Sequence, residues 1–222
     1  MVEEIENHGR GQWENFIKAA GFEGLVISIA QKRLEYIGKS IAEIARLEGK
    51  DPYDVFFDLL VEEGEGINVI IHTMDERDVQ RILKSPLTMI GTDGFPDFGE
   101  SKVHPRQTGT FPRILGRYVR EQGLIRLEEA IRKMTSLPAQ TFRVKKKGLL
   151  KEGFDADIVI FDPEMVLDKA TFDDPRQKPE GIVWVLINGQ LAVEEGQVTG
   201  ATSGRVMRYR SQCFRNQSQK EG

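Results

Sequence analysis

The hydrophobic positions switch period several times along this chain, and the switches mark out its elements. Leu25-Val26-Ile27-Ser28-Ile29-Ala30 is a short apolar, β-branched run of the kind a buried strand carries. Ser40-Ile41-Ala42-Glu43 has capping-box spacing, and Ile41, Ile44 and Ala45 then form the inner face of a helix. Asp51-Pro52 supplies an N-cap and a proline at the first helical position, and Val55, Phe56, Leu59 and Leu60 keep helical spacing as far as Gly64. Ile67 to His72 reads as a second strand. Thr73-Met74-Asp75-Glu76 reads as a second capping box, opening a helix with Val79, Ile82 and Leu83 on one face that stops before Pro86. Leu87 to Gly91 is expected to be the next strand. Strands alternating with helices predict an α/β fold with a parallel sheet.

From Gly94 to about Gly109 a loop rich in Gly and Pro is expected, followed by two amphipathic helices carrying Ile114, Leu115, Tyr118 and Val119, and then Leu127, Ala130, Ile131 and Met134. After Pro138 the pattern shortens. Gly148-Leu149-Leu150, Ala156 to Phe161, Gly181 to Ile187 and Leu191 to Val193 predict a small β unit. The polar tail, expected to be disordered, covers residues 204–222.

Composition narrows the function classes. The 222 residues hold 31 Lys and Arg against 35 Asp and Glu, a net charge of −4, which is no nucleic-acid-binding balance. Hydrophobic residues at 39% can build a core, and no apolar run approaches the roughly 20 residues of a membrane span. The single Cys213 cannot form an internal disulfide, and the acidic N-terminus has no secretory pattern, so a cytoplasmic location is expected.

Asp93 stands directly after an apolar run and before glycine, where α/β folds place reactive groups, although an isolated Thr-Asp-Gly is equally an ordinary turn. His72 ends the preceding run in the same way. His104-Pro105-Arg106 follows, and the planar fork of Arg106 suits a substrate carboxylate. His8 is expected to be an uninvolved surface residue, and Lys145-Lys146-Lys147 a solvated turn. The three histidines are widely separated, so no metal-ligand set is predicted from spacing. Gly-x-Ser-x-Gly, Cys-x-x-Cys and a phosphate loop are absent.

The ordered set of segments resembles the N-acyl-D-amino-acid deacylases (D-aminoacylases) of the amidohydrolase superfamily. It comprises Ile67 to Phe95 with Met74-Asp75-Glu76-Arg77-Asp78-Val79 and Met89-Ile90-Gly91-Thr92-Asp93-Gly94, then His104-Pro105-Arg106, Gly109 to Gly116, Leu127 to Ala139, Gly153 to Asp162 and Val185 to Gly189. The resemblance runs from about Gln12 to Tyr209. It implies hydrolysis of the amide of small N-acyl-D-amino acids with zinc, and it makes Asp93 the catalytic proton-transfer residue, with His72, His104 and Arg106 as candidate substrate contacts.

It also implies a departure. The family's metal-binding histidines and cysteine lie on earlier barrel strands with no counterpart here, and a (β/α)₈ barrel typically needs about 250 residues. The expected architecture is a partial TIM barrel, its last strands and helices in residues 1–142, followed by a β-sandwich segment in residues 143–203. Such a C-terminal half is expected to be inactive alone and to associate with a complementary N-terminal half or with itself. The alternatives are a dihydroorotase-like or hydantoinase-like enzyme for cyclic amides, or a non-catalytic remnant or partner subunit.

Overall fold

The structure is a computed structural model that describes residues 2–6, 14–94 and 103–208. His8, Phe95, Cys213 and most of the expected tail lie outside the described residues. The chain forms two compact units: one comprises residues 1–86, 92–110 and 168–178, the other residues 87–91, 111–167 and 179–222.

In the first unit, short helices α1 (Val2–Glu6) and α2 (Phe16–Ala20) precede β1 (Leu25–Ile29), α3 (Ile41–Glu48), α4 (Pro52–Glu63), β2 (Asn68–Ile71) and α5 (Glu76–Lys84); α6 (Arg106–Arg113) also starts here. The local chemistry acts as expected at two helix starts. Ser40 Oγ accepts from Glu43 N while the Glu43 carboxylate accepts from Ser40 N, and the Asp51 side chain accepts from Tyr53 N with Pro52 behind it. Helix α5 departs from expectation, because its cap is Asp75, accepting from Arg77 N, and not Thr73. The core gathers Leu25, Ile27, Ile41, Ile44, Ala45, Val55 and Leu59, with Ile27 and Ile44 fully enclosed.

Strands β1 and β2 pair antiparallel, Leu25 opposite Ile71 and Ile27 opposite Val69, so the expected parallel pairing does not form here. Two helices, α3 and α4, lie between these strands in sequence, in place of the single crossover helix of a parallel βαβ unit. The expected strand at Leu87–Gly91 also makes no ladder among the described residues; its Ile90 N donates to Lys133 O at 3.2 Å.

One contact ties helix α4 to the loop after β1. Glu63 is the last residue of α4, where a negative charge opposes the helix dipole. Its carboxylate accepts from three successive backbone amides, Gln31 N at 2.7 Å, Lys32 N at 3.0 Å and Arg33 N at 2.7 Å, which together form an anion-binding nest. Desolvation pushes its carboxyl up, but the amides outweigh this and hold it below the ordinary value of 4.5.

The second unit continues from α6 into a wide π-helical stretch, Ile114–Glu121, and then α7 (Leu127–Met134) and α8 (Ser136–Thr141). Pro112 sits just before the wide turns, where its missing N–H leaves a gap in the ladder that a π-type stretch accommodates. Gly116 lies against a neighbouring backbone: a Cβ there would come within 2.6 Å of Val166 O. Lys133 is fully buried, and its Nζ donates to Thr88 O at 3.0 Å and Thr88 Oγ1 at 3.1 Å. Burial pushes this ammonium below the ordinary lysine range.

The β unit is one antiparallel sheet in the order β3 (Ile158–Phe161), β4 (Ile182–Ile187), β5 (Gln190–Glu194), β6 (Gln197–Val198). Gly148-Leu149-Leu150 forms no strand. The sheet is a single layer: every residue of β4 is half-buried, although Ile-Val-Trp-Val-Leu-Ile is apolar on both faces. Lys147 also departs from a solvated turn, because it bonds Asp155 at 3.1 Å and Asp157, whose carboxyl is thereby held low. No helix among the described residues is long and apolar enough to cross a membrane.

Two outcomes are expected. A carboxyl depressed in the native state contributes stability above its unfolded pKa and loses it as pH falls through the folded value. Glu63→Gln should therefore lower Tm by several degrees at pH 7 and flatten the loss of Tm on acidification below pH 4.5, read by circular dichroism. Lys133→Ala removes the ammonium bonded to Thr88 O and Oγ1 and leaves a cavity, and should cost about 2–5 kcal/mol in urea unfolding, with Lys133→Met losing less.

Candidate active site

The candidate site lies wholly within the first unit and is built around one turn. Asp93 adopts a positive φ of 47°, a left-handed conformation that Asp tolerates better than most residues. The turn is closed by its neighbour, since Thr92 Oγ1 accepts from Gly94 N at 3.3 Å. Gly94 sits against α6, where a Cβ would meet Gln107 Cα at 3.3 Å.

Arg106 grips Asp93 in two places. Its Nη2 pairs with Asp93 Oδ2 at 2.9 Å, and its Nε donates to the Asp93 carbonyl oxygen at 2.9 Å. The carboxylate remains 73% exposed and the guanidinium 40% exposed, so both stay open to a ligand. Arg106 is not a loop residue as expected; it is the first residue of α6. A regular helix fixes its Cα, and the backbone amide of Arg106 donates to His104 Nδ1 at 3.0 Å. That nitrogen accepts, and the imidazole keeps its N–H at Nε2.

His72 follows β2 directly, its amide donating to Gly24 O at 2.9 Å. Its ring lies 4.8 Å from that of Phe172, and the His104 ring lies 5.1 Å from Phe172, both edge to face. The four expected residues therefore fall into two contacts, Asp93 with Arg106 and the two histidines around Phe172, joined through the His104–Arg106 bond. Phe172 was not foreseen. Its only sequence signal is a lone aromatic in the polar stretch 168–178, and nothing local links that stretch to Asp93.

This arrangement offers an exposed carboxylate that can accept a proton, a guanidinium that can pair with an anion, and an aromatic wall. It does not offer a metal centre. Among the described residues no three His, Cys, Asp or Glu side chains come together as ligands, whereas zinc requires about four, or three and a water.

With fold and geometry in hand, the comparison with known proteins identifies the class: the profile of the amidohydrolase family matches residues 5–193, and the chain belongs to that family. Within it, the chain is 44% identical over 173 residues to D-aminoacylase of Alcaligenes xylosoxydans xylosoxydans, covering 78% of this chain and 34% of that protein. It is 43% identical over 159 residues to N-acyl-D-aspartate deacylase of the same organism, covering 69% of this chain and 31% of that one. The crystal structure of N-acyl-D-glutamate deacylase from Bordetella bronchiseptica, complexed with zinc and a phosphonate inhibitor mimicking the tetrahedral intermediate, superposes with a TM-score of 0.72 at 38% identity. That match covers 80% of this chain and 36% of that one. The chain thus spans about a third of the length of the relatives it matches.

The two-point grip makes Arg106 the determinant of turn order. Arg106→Ala should lower the ¹⁵N heteronuclear NOE of Gly94 towards flexible-loop values while leaving amides of β1 and α3 unchanged.

Proposed function

We propose that this chain is the C-terminal portion of an amidohydrolase that cleaves the amide of N-acyl-D-amino acids, with Asp93 as the proton-transfer residue. The observation that carries the reading is Asp93 itself: a solvent-open carboxylate on a left-handed turn, gripped at two atoms by Arg106, in a chain of this family.

In amide hydrolysis water adds to the acyl carbon, the C–N bond breaks, and a proton must reach the departing nitrogen. Asp93 accepts the proton of the attacking water and delivers it to the amine. Arg106 orients the carboxylate group of the substrate, and its grip on Asp93 keeps base and anchor in one geometry. The structure of the N-acyl-D-glutamate deacylase holds zinc, but the described side chains of this chain do not assemble a site for it. The ligands are assigned to the part of the enzyme that this chain does not span.

In this reading residues 1–142 carry the closing pieces of the hydrolase barrel, residues 143–203 the β segment and residues 204–222 the tail, and the protein acts in the cytoplasm. The partner is a complementary N-terminal portion. Supporting this is the single-layer sheet, whose Val159, Ile160 and Leu191 stand exposed beside an apolar strand β4.

The purified chain should neither retain stoichiometric zinc nor release D-amino acid from N-acetyl-D-methionine. Co-expression with the unmatched portion of a D-aminoacylase should restore turnover, and Asp93→Asn in that assembly should lower kcat by about 10²–10⁴ while zinc stays bound. Wild-type turnover by the Asn variant would overturn the assignment.

A further inference from the structure

Helix α6 starts on a histidine. His104 Nδ1 accepts from Arg106 N at 3.0 Å and the His104 carbonyl accepts from Gln107 N at 3.1 Å, so one residue satisfies the first two donors of the helix. Pro105, between them, has no N–H to compete for either acceptor. Elsewhere in the unit side-chain oxygens take this part, Ser40 at α3, Asp51 at α4 and Asp75 at α5, and hydroxyl and carboxylate oxygens keep their lone pairs across the neutral pH range. An imidazole does not. It accepts only while neutral, and its ordinary titration lies at about pH 6.5.

Protonation of His104 and its bond from Arg106 exclude one another. In the imidazolium both ring nitrogens carry hydrogen, so no rotation of the ring restores an acceptor, and an N–H at Nδ1 would face Arg106 N–H across 3.0 Å. The charge would also stand at a helix N-terminus, where the dipole disfavours it, and no acidic residue occupies the first turn of α6 to offset it. Beyond α6 the ring meets Phe172 at 5.1 Å, and the His72 ring meets Phe172 at 4.8 Å. The segment carrying Phe172 bears Asp168, Asp173 and Asp174 against Lys169, Arg176 and Lys178, so it brings no net charge of either sign. The Arg106 guanidinium and the Asp93 carboxylate offset one another in their ion pair. We propose that His104 is a pH-sensitive positioning residue: neutral, it fixes the start of α6 and, through Arg106, the Asp93 turn; protonated, it releases both. The coupling runs through Arg106, whose Nε and Nη2 reach the Asp93 carbonyl and carboxylate from a backbone that the His104 bond holds. The turn is therefore ordered above the histidine range and loosened below it. Its catalytic meaning rests on the reading of Asp93 given above, whereas the switch itself rests on geometry alone.

NMR of the 222-residue chain between about pH 7.5 and about pH 5.5 tests it, a window in which an ordinary histidine goes from about one tenth to about nine tenths protonated while ordinary carboxyls stay charged. The backbone order parameter of Gly94 should fall from about 0.85 to below about 0.6 with the midpoint of the His104 ring titration, and the amides of β1 and α3 should not change. His104→Ala should leave Gly94 disordered at both ends of the window. His104→Asn offers a non-titrating acceptor two residues before Arg106, as in an Asx-turn, and should keep Gly94 ordered at both. His72→Gln should retain the pH dependence of the wild type. Gly94 order that survives titration of the His104 ring, order retained in His104→Ala, disorder of Gly94 in His104→Asn at either pH, or a pH dependence abolished by His72→Gln overturns the proposal. None of these readouts needs turnover, so their failure leaves kcat of the Asp93→Asn assembly to decide the site reading.

Discussion

A guanidinium that holds both the carboxylate and the carbonyl of one residue constrains that residue in position and in backbone conformation together. Arg106 does this to Asp93, and a residue at φ 47° needs such a constraint, because left-handed backbone costs a side-chain-bearing residue of order 1 kcal/mol or more. The grip works because Arg106 is itself fixed, as the first residue of a helix whose start is tied to His104 Nδ1. Helix, imidazole, guanidinium and carboxylate form a chain of dependence in which each group is placed by the one before it.

The same economy runs through the first unit, where buried or opposed charges are stationed where backbone amides are free. Glu63 opposes the dipole of its own helix, yet it joins α4 to the loop after β1 through the amides of Gln31, Lys32 and Arg33. In the second unit Lys133 plays the corresponding part with opposite sign, satisfying a carbonyl and a hydroxyl of Thr88 in the segment that leads to the Asp93 turn. Neither group belongs to the reacting centre. Both hold irregular backbone in place where no sheet ladder does.

Much of the helical structure was legible because it is governed by groups three or four residues apart. Ser40 and Glu43 form their reciprocal cap, Asp51-Pro52 starts α4, and the apolar spacing of Ile41, Ile44, Val55 and Leu59 predicts the faces that are buried. Asp75 took the cap assigned to Thr73 because both are competent acceptors two residues apart, and residue type alone does not rank them. Strand direction was not legible. A run such as Leu87 to Gly91 has strand composition whether or not a partner edge is available, and β1 and β2 read alike in parallel and antiparallel sheets.

What the amino-acid sequence determined by itself is the set of local elements, the absence of a basic or membrane-spanning character, and the family, whose ordered segments survive without the fold. The tertiary structure alone decided that β1 and β2 run antiparallel, that Arg106 reaches back 13 residues to Asp93, and that Phe172 joins histidines from two other parts of the chain. Local order follows from nearby donors, acceptors and dihedral preferences. Long-range pairing depends on which loops close against which core, and that choice is made by the summed burial of the whole unit.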